Sequence, residues 1–476
     1  MIDEDVLDRV LGRALRHGGD FAEVFAEDRA TSSSMLDDGK VEQLSSGRER
    51  GAGIRVVVGE TTGFAHTADL SEAGLLRAAE AAAAVAQARS GTTTASADGG
   101  RRGQGGEGAG PSGRRPAEDA PPDGGRALLS KGDSLELLQR ADEAARSAGG
   151  GIAQVQAGCG TSRRRVLVAN SDGLRAGDDQ WRTRFSVSCV AVGDTGLQTG
   201  FETAARTVGA ELFDEVSVEE LARQAARRAL AKLAARPAPT GELPVVLAGG
   251  SGGILFHEAC GHGLEADHIL KDASVYAGRV GEQVASPLVT LVDDGTVGSE
   301  WGTFAVDDEG RPAQRNVLIE EGVLTDYLWD FLRARREGRR SSGNGRRESY
   351  QHLPMVRMTN TFLLAGEEDP EEIVAGTSRG VYVAKLGGGQ VNTTTGDFVF
   401  GTSEAYLIED GRITEPLRDA NLIGNGPEIL RRIDAVANDF AMTPGTCGKD
   451  GQSVPVGCGQ PTLRITGVTI GGTAGD

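Results

Sequence analysis

Residues 256–267 read FHEACGHGLEAD and place His257 and His262 five positions apart, with Glu258 directly after the first histidine. Zinc-assisted hydrolysis needs side-chain ligands, an open coordination position and a carboxylate that can take a proton from water. In the motif H-E-x-x-H, two histidines four positions apart bind zinc and the glutamate acts as the base. The segment therefore predicts a metal site of this kind, with one additional residue between the histidines.

The extra residue changes the geometry that the backbone must adopt. In a regular α-helix, residues four apart differ by roughly 40° around the axis, whereas residues five apart differ by about 140°. His257 and His262 therefore cannot reach one ion from an undistorted helix. A π-bulge would absorb the extra residue, and a helix that ends at Gly261 with His262 in the next turn would also work.

The third ligand cannot be chosen from local spacing. Three of the six histidines lie between positions 257 and 268, among three acidic residues, which favours a site over coincidence. Cys260 should point away from the two histidines along the helix. Cys447, in the glycine-rich segment PGTCGKDGQSVPVG, is predicted to lie in a turn, and a buried apolar thiol is an equally good interpretation of it. The candidates are Cys260, Glu265, Asp267, His268, Cys447 and Cys458.

The first half of the chain mixes helices with strands. Residues 90–126 contain almost no large apolar side chains, and we expect them to form a disordered insertion. Residues 236–242, with two prolines, predict an extended linker between an N-terminal domain, 1–236, and a C-terminal domain, 241–476. Helices are predicted at 2–17, 71–89, 132–148 and 217–235, and short strands at 21–67.

The second half predicts a β-rich domain. An apolar strand, LPVVLAG, precedes a glycine-rich turn that opens the helix bearing His257, and many short alternating runs follow. The tripeptides at 320–322 and 409–411 are typical of hairpin turns. We therefore predict an α+β fold: an N-terminal α/β domain followed by a β-rich C-terminal domain that carries the metal-binding helix.

Composition restricts the partners. Lys and Arg number 50 against 69 Asp and Glu, a formal net charge of −19, so the surface repels nucleic acid and anionic lipid. No apolar run approaches the roughly 20 residues of a membrane helix and no signal-peptide pattern is present, so we expect a cytoplasmic protein. The five cysteines do not suggest a disulfide framework.

Four segments together resemble the TldD family of zinc metallopeptidases, whose paralogues are the TldE or PmbA proteins. GAGIRVVVG and GFAHT in the first half are also similar, so the resemblance covers nearly the whole chain except the insertion at 90–126. The combination is specific, whereas H-E-x-x-x-H alone is not. The segments are HEACGHGLEAD (257–267), NGRRESY (344–350), RMTNT (357–361) and CGKDGQSVPVG (447–457).

The resemblance implies that His257, His262 and Cys447 hold zinc and that Glu258 is the general base. It also implies cleavage of unfolded or leader peptides, and a homodimer or a pair with a TldE/PmbA-type paralogue. PmbA-type members lack the metal motif, so the chain falls on the TldD side. A polar or small residue would be expected at Cys458, to which no role is assigned.

The chemistry of this ligand set agrees with hydrolysis. A thiolate and two neutral imidazoles leave zinc with a charge near +1, still able to acidify water. Glycine-rich loops and strand edges could hold an extended peptide by β-augmentation. Arg346 and Arg347 are expected either to meet a peptide carboxylate or to form surface ion pairs, and no substrate-binding residue is assigned.

Two other functions stay open. A deformylase-like metal amidase also uses two histidines and a cysteine, but it expects H-E-x-x-H and a much shorter chain. A peptide-binding or regulatory module with a structural metal needs four protein ligands, for which His268 or Asp267 would be the fourth. An intact Glu258 argues against that module, because a structural site does not use a base.

Overall fold

The computed structural model describes residues 1–93, 128–251 and 253–471. It has helices packed on one antiparallel sheet in the first half and mostly short strands in the second, which confirms the predicted α+β class. Among the helices of these residues, none is both long and apolar enough to cross a membrane.

The first half is built on one six-stranded sheet in which every neighbouring pair is antiparallel. The strands are β1 (Phe21–Asp37), β2 (Lys40–Val58), β3 (Thr61–Thr67), β4 (Ile152–Asn170), β5 (Arg175–Gly193) and β6 (Gly196–Arg206). Their order in the sheet is β3-β2-β1-β4-β5-β6. Along β5, Val187, Cys189 and Ala191 are buried, two positions apart, as a sheet covered by helices on one face requires.

In the described part of the first half, five helices accompany this sheet: α1 (Glu4–Leu15), α2 (Glu72–Thr93), α3 (Lys131–Ser147), α4 (Leu212–Glu215) and α5 (Val218–Leu233). In α1 the buried side chains Leu7, Val10, Leu11 and Ala14 follow the three-and-four spacing of one helical face. α1 and α2 cover one half of the sheet, and α3 and α5 cover the other.

Three of the helices agree closely with their predicted ranges, and the fourth is longer than predicted. α2 continues through Thr93, so the predicted disordered insertion at 90–126 begins too early. The four additional residues, 90–93, are Ser-Gly-Thr-Thr and continue the alanine-rich helix by one turn. Residues 94–127 lie outside the described part of the chain.

The second half contains sixteen strands and five short helices within the described residues. The strands are β7 (Arg236–Pro237), β8 (Gly241–Leu247), β9 (Leu291–Asp294), β10 (Arg315–Glu320), β11 (Val323–Leu324), β12 (Gly345–Arg346), β13 (Met355–Val356), β14 (Asn360–Leu363), β15 (Arg379–Val391), β16 (Asp397–Glu409), β17 (Arg412–Arg418), β18 (Asn421–Asn425), β19 (Ile433–Val436), β20 (Ala441–Lys449), β21 (Gln452–Gln460) and β22 (Leu463–Gly471). The helices are α6 (Gly253–Phe256), α7 (Ala266–Ile269), α8 (Phe331–Arg336), α9 (Pro370–Ala375) and α10 (Gly426–Arg431).

These strands form two large sheets and one small one. The first has the order β15-β8-β22-β18-β16-β17-β7, with β19 also on β22, and β15 additionally pairs with β16. The strands β15, β8, β22, β18 and β16 therefore close into a ring. The second has the order β11-β10-β9-β14-β21-β20, which leaves β20 at its edge, and β12 pairs with β13.

Turn chemistry follows the sequence at the two predicted hairpins. β10 and β11 are joined by Glu321-Gly322, and β16 and β17 by Asp410-Gly411; all four residues have positive φ. This is the backbone of a two-residue hairpin loop. In the predicted linker, Arg236–Pro237 is extended as expected and pairs in parallel with β17.

The two halves meet through buried ion pairs. Arg55 lies 2.7 Å from Glu23 on its own sheet and 2.8 Å from Glu309 of the second half. Arg347 lies 2.6 Å from Glu23, and its guanidinium stands over the ring of Phe25. All of these side chains are almost fully buried. These ion pairs therefore join the N-terminal sheet to Glu309 and Arg347 of the second half.

Candidate metal centre

The two histidines lie on consecutive turns of different helical type. After α6, residues His257–Gly261 form a π-helical turn, and His262–Leu264 form a 3₁₀ turn. The π turn is the predicted device for absorbing the extra residue. Gly261 keeps ordinary right-handed helical angles, φ −54° and ψ −53°, so the correction does not use the special freedom of glycine. The two imidazole rings lie 5.0 Å apart, centre to centre.

A glycine lets the start of this helix lie against a strand. A Cβ on Gly253 would be 2.5 Å from the carbonyl carbon of Cys458 and 2.6 Å from the nitrogen of Gly459, both backbone atoms of β21. The backbones of α6 and β21 therefore approach more closely than any side chain allows. This contact positions the histidines against the hairpin formed by β20 and β21.

Cys447 comes to the histidines on that hairpin. It lies in β20 opposite Val454, so the segment predicted to be a turn is a pair of strands, and its turn is confined to Asp450-Gly451. The Sγ atom of Cys447 is 3.4 Å from Nε2 of His262. One ligand atom from each of His257, His262 and Cys447 lies within 4.8 Å of the other two, and all three residues are buried.

Two buried arginines hold the hairpin in place. Arg357 donates to the backbone carbonyls of Cys447 and Gln452, and Arg346 donates to those of Met358, at 2.6 Å, and Pro455, at 2.7 Å. The expectation that Arg346 and Arg347 meet a peptide carboxylate or form surface pairs is wrong. Both are buried: Arg346 contacts carbonyls, and Arg347 pairs with Glu23 of the N-terminal sheet.

The electrostatics of the cluster favour a cation. Burial alone would raise the pKa of the Cys447 thiol, but His257 and His262 outweigh this effect and hold that pKa at about 4. Burial would lower the pKa of His262, but Glu265 and the Cys447 thiol raise it to about 9. Burial would also lower the pKa of His257, but the Cys447 thiol and other neighbours raise it well above its usual range. The positive charge that balances the Cys447 thiolate therefore comes from protons on the two imidazoles, and a metal dication could take their place.

The donor atoms also fit a metal. Both ring nitrogens of His257 are buried, and neither finds a hydrogen-bond partner in the described part of the chain. An imidazole nitrogen buried without a partner is costly unless something else satisfies it. Two imidazoles and a thiolate are the nitrogen and sulfur donors that zinc accepts, and three protein ligands leave a fourth position open.

Glu258 lies beside this group without joining it. Its Oε2 is 4.0 Å from Nε2 of His262, and 23% of its side chain is exposed, compared with 10% for His262. The Glu258 carboxylate is thus close to the cluster and partly in contact with solvent. It can accept a proton there while the three ligand candidates remain buried.

The remaining candidates from the sequence divide into three environments. Cys260 donates to the carbonyl of Phe256, and burial raises its pKa to about 12. Glu265, Asp267 and His268 form a second group beside the first. Cys458 lies outside the three-atom group and lines a cavity.

Sequence reasoning missed Lys449 and Arg357. Lys449 reaches Glu265 and Asp267, and Arg357 supports the strand that carries Cys447. Had the hairpin been recognised, the spacing of Cys447 and Lys449 would have placed both side chains on one face of a strand. No comparable spacing in the sequence indicates that Arg357 contacts the strand of Cys447.

A cavity of about 260 Å³ is lined by residues of both halves of the chain, among them Ile254 of α6 but neither Glu258 nor any of the three ligand candidates. Its lining comes from the turn 249–251, from β15 at 384–387 and from β20 at 443–445, and it includes Cys458. β20 is an edge strand, and β15 pairs with β8 only through Val381, Tyr382 and Val383. The cavity is therefore flanked by backbone that an extended chain could pair with.

Comparisons with known protein families cover most of the chain. The profile for the PmbA/TldA metallopeptidase C-terminal domain matches residues 240–472, that for the central domain matches 127–233, and that for domain 1 matches 22–86.

Two of the relatives match over almost the full length of the chain, and a third matches over about half of it. A "Metalloprotease TldD homolog" of Haemophilus influenzae is 41% identical over 476 residues, covering 95% of this chain and 93% of that protein. A "Metalloprotease" of Methanothermobacter thermautotrophicus is 34% identical, covering 99% of this chain and 100% of that protein. A "Zinc metalloprotease TldD homolog" of Saccharolobus solfataricus is 30% identical over 55% of this chain and 58% of its own.

Solved structures share the fold. A Thermotoga maritima protein described as a modulator of a DNA gyrase aligns with a TM-score of 0.79 at 21% identity, covering 98% of this chain and 100% of that chain. TldE from Thermococcus kodakarensis aligns with a TM-score of 0.77 at 21% identity and the same coverage. At this identity the likeness concerns the fold.

Proposed function

Because the chain belongs to the PmbA/TldD metallopeptidase family, we propose that it is a zinc-dependent peptidase whose metal is held by His257, His262 and Cys447. The observation that carries this proposal is the convergence of three buried ligand atoms within 4.8 Å of one another. The unpartnered ring nitrogens of His257 support it independently.

In this mechanism, the residues of the chain bind, orient and move protons. Zinc, when bound, supplies Lewis-acid chemistry that polarises a carbonyl and makes water more acidic. Glu258 accepts the proton of the attacking water and then donates it to the leaving amine. Glu265 accepts a hydrogen bond from Nδ1 of His262 at 3.0 Å and so fixes the orientation of that ring.

The substrate class that we infer is an unfolded or leader peptide in an extended conformation. The cavity that Ile254 and Cys458 line is flanked by the edge strand β20 and by the part of β15 that follows Val383. Pairing with these backbones would bind a peptide with little dependence on its sequence. A deformylase-like amidase acting on one small group would not need such a groove.

A structural metal in a non-catalytic module is the weaker alternative. Such a site is closed by four protein ligands. In the described residues the group contains three, and Glu265, Asp267 and His268 are occupied by contacts with Lys449 or with one another. The presence of Glu258 next to an open position favours catalysis.

The test is metal content measured together with peptide cleavage. Wild-type protein should hold about one zinc per chain and cut a disordered peptide. His257→Ala, His262→Ala and Cys447→Ser should each lose most of the metal and the activity. His17→Ala and Cys189→Ser, at positions far from the cluster, are the matched controls and should keep the metal. Full zinc content in Cys447→Ser would mean that another residue is the third ligand.

We also infer that the chain works as a homodimer or as a pair with a metal-free TldE/PmbA-type paralogue. The fold shared with TldE from Thermococcus kodakarensis supports a partner of similar shape.

A further inference from the structure

A lysine occupies the second cluster of potential metal ligands. Glu265, Asp267 and His268 bring their donor atoms within 4.8 Å of one another, next to the proposed zinc ligands. Nζ of Lys449 lies 2.8 Å from Oε2 of Glu265 and 2.7 Å from Oδ1 of Asp267. The ammonium group therefore already supplies the positive charge that a cation would bring. Lys449, Glu265 and Asp267 therefore form an internal ion triad, and the cluster is not a second metal site.

The triad contacts the proposed zinc ligand His262. Oε2 of Glu265, which accepts from Lys449, also accepts from Nδ1 of His262 at 3.0 Å. With its proton on Nδ1, the ring presents a free lone pair on Nε2, the atom that faces Cys447. The hydrogen bond to Glu265 therefore determines which nitrogen of His262 is available to a metal.

The same lysine belongs to the strand that carries Cys447. Cys447 and Lys449 are two positions apart in β20, so their side chains project from the same face. On that face, Cys447 meets His262 and Lys449 meets Glu265, three residues further along the chain. Lys449 also donates to the carbonyl of Val356, at 3.2 Å. The contact of Cys447 with His262 and that of Lys449 with Glu265 thus together align β20 with the helical segment.

We propose that Lys449 is a positioning residue for the metal centre, which aligns Cys447 with His262 by joining β20 to the carboxylates of Glu265 and Asp267. The proposal rests on the proposed ligand set. Lys449 itself touches neither metal nor substrate; it acts through Glu265 on one ligand and through β20 on another.

Burial makes this contact strong. Glu265 is fully buried, and the side chain of Lys449 is 7% exposed. Removing one partner of a buried ion pair leaves an uncompensated charge, which is far more costly than losing a pair at the surface. Without the ammonium, Glu265 and Asp267 would be adjacent buried carboxylates with an unfavourable mutual repulsion. Either the strand or the carboxylates would then move away from the arrangement that the ligands need.

The experiment compares Lys449→Met, which keeps the length of the side chain without its charge, with Lys449→Arg, which keeps the charge. Lys271→Met, at an exposed position in the loop after α7, is the matched control. Zinc affinity is measured by competition with a chromogenic chelator. The protein is also loaded with saturating cobalt, and the thiolate-to-cobalt absorption band is recorded. Cys447→Ser and His262→Ala calibrate both readouts.

We expect Lys449→Met to bind zinc about 10- to 100-fold more weakly, as is typical when a contact that orients a metal ligand is lost. Its thiolate-to-cobalt band should weaken even at saturating cobalt, because Cys447 is displaced. Lys449→Arg should recover part of both, and Lys271→Met should match wild type. A role in general stability alone would leave the band of the loaded protein unchanged, and that result would overturn the proposal.

A double variant covers the case in which Lys449→Met folds poorly. Glu265→Gln with Lys449→Met removes the charges of both partners, so it leaves fewer uncompensated charges than the single variant. If the residues act through one contact, the double variant loses no more zinc affinity than the weaker-binding single variant. Losses that add would count against the proposal. Retained zinc in Cys447→Ser and His262→Ala would instead refute the proposed ligand set, and the role of Lys449 with it.

Discussion

Glu258 is near the proposed ligands but more exposed than they are, and this separates its role from theirs. We predict that Glu258→Gln stays folded and binds zinc as well as wild type, because it removes a proton acceptor and no ligand. Peptidase activity should fall by at least the roughly 10²- to 10⁴-fold typical of acid–base groups. Zinc content and the rate of cleavage of a disordered peptide check this.

A matched glutamate is available for comparison with Glu258. Glu282 pairs with Arg279 at the surface, with 56% of its side chain exposed. Glu282→Gln should have wild-type zinc content and activity. Activity within tenfold of wild type in Glu258→Gln would mean that a different group takes the proton.

At the residue scale, what sequence could predict depended on distance along the chain. His257, Glu258 and His262 were recognised together because they lie within one turn or two of each other. Cys447 is 185 residues from His262, and only the resemblance to a family singled it out. For Arg346 and Arg347 the sequence suggests a peptide carboxylate or a surface ion pair, because charged side chains are usually exposed and a sequence does not show which arginines find buried partners.

At the scale of elements, the close contact between α6 and β21 predicts an effect of adding one methyl group. Gly253→Ala would bring a Cβ to within 2.5 Å of backbone atoms of β21, which cannot rotate away as a side chain can. We expect the free energy of unfolding to fall by about 1–3 kcal/mol, as in other overpacked interiors. Zinc affinity should fall with it, because α6 leads directly into His257. Urea unfolding and chelator competition measure the two effects.

Gly12→Ala is the control for this change. Gly12 lies within α1, and a Cβ there would meet nothing within 4 Å. It should stabilise the protein by roughly 0.5–1 kcal/mol, because alanine favours a helix more than glycine does. If both variants unfold at the same urea concentration, the contact with β21 is not tight in solution.

The elements themselves were predicted unevenly. The long amphipathic helices and the two-residue hairpins were found because their spacing and turn residues are local signals. The β20–β21 hairpin was predicted as a turn because glycine and proline are frequent in it. Its strands are specified by pairing with each other and with β14, which a local pattern does not contain.

At the scale of the whole molecule, removing one partner of a buried ion pair between the two halves should destabilise the protein strongly. Arg347→Met would leave Glu23 with one guanidinium partner and remove the contact over Phe25. We expect a loss of about 3–5 kcal/mol in the free energy of unfolding, the usual effect of breaking a buried pair. The urea midpoint of unfolding measures it.

Arg9→Met is the matched surface substitution. Arg9 is 2.6 Å from Glu72, but the two side chains are 51% and 42% exposed. Because water and salt screen such a pair, its loss should leave the urea midpoint close to that of wild type. If Arg347→Met and Arg9→Met lower the urea midpoint equally, the buried network stabilises the protein no more than a surface pair does. The division into domains at 1–236 and 241–476 stays a prediction, and this network would lie across it.

Assembly is the second prediction at this scale. A peptidase with a sequence-independent groove would attack any unfolded chain unless access were restricted, and burying the site between subunits would restrict it. We predict that light scattering on a size-exclusion column gives twice the mass of one chain. A disordered peptide should be cut, while a tightly folded protein of the same composition should not. A stable monomer that cuts flexible peptides at full rate without a partner would exclude this explanation.

The 185 residues between His262 and Cys447 also determine when activity can begin during synthesis. A ribosome that adds about 5–20 residues per second takes roughly 10 to 40 s to go from the histidine to the cysteine. Throughout that interval β8, which leads into the histidine helix, also lacks its partner β22, which follows Cys447 in the chain. A nascent chain therefore emerges with an incomplete centre. Other nascent chains on the same polysome are unfolded and close by. The incomplete centre cannot cleave them until Cys447 has been synthesised.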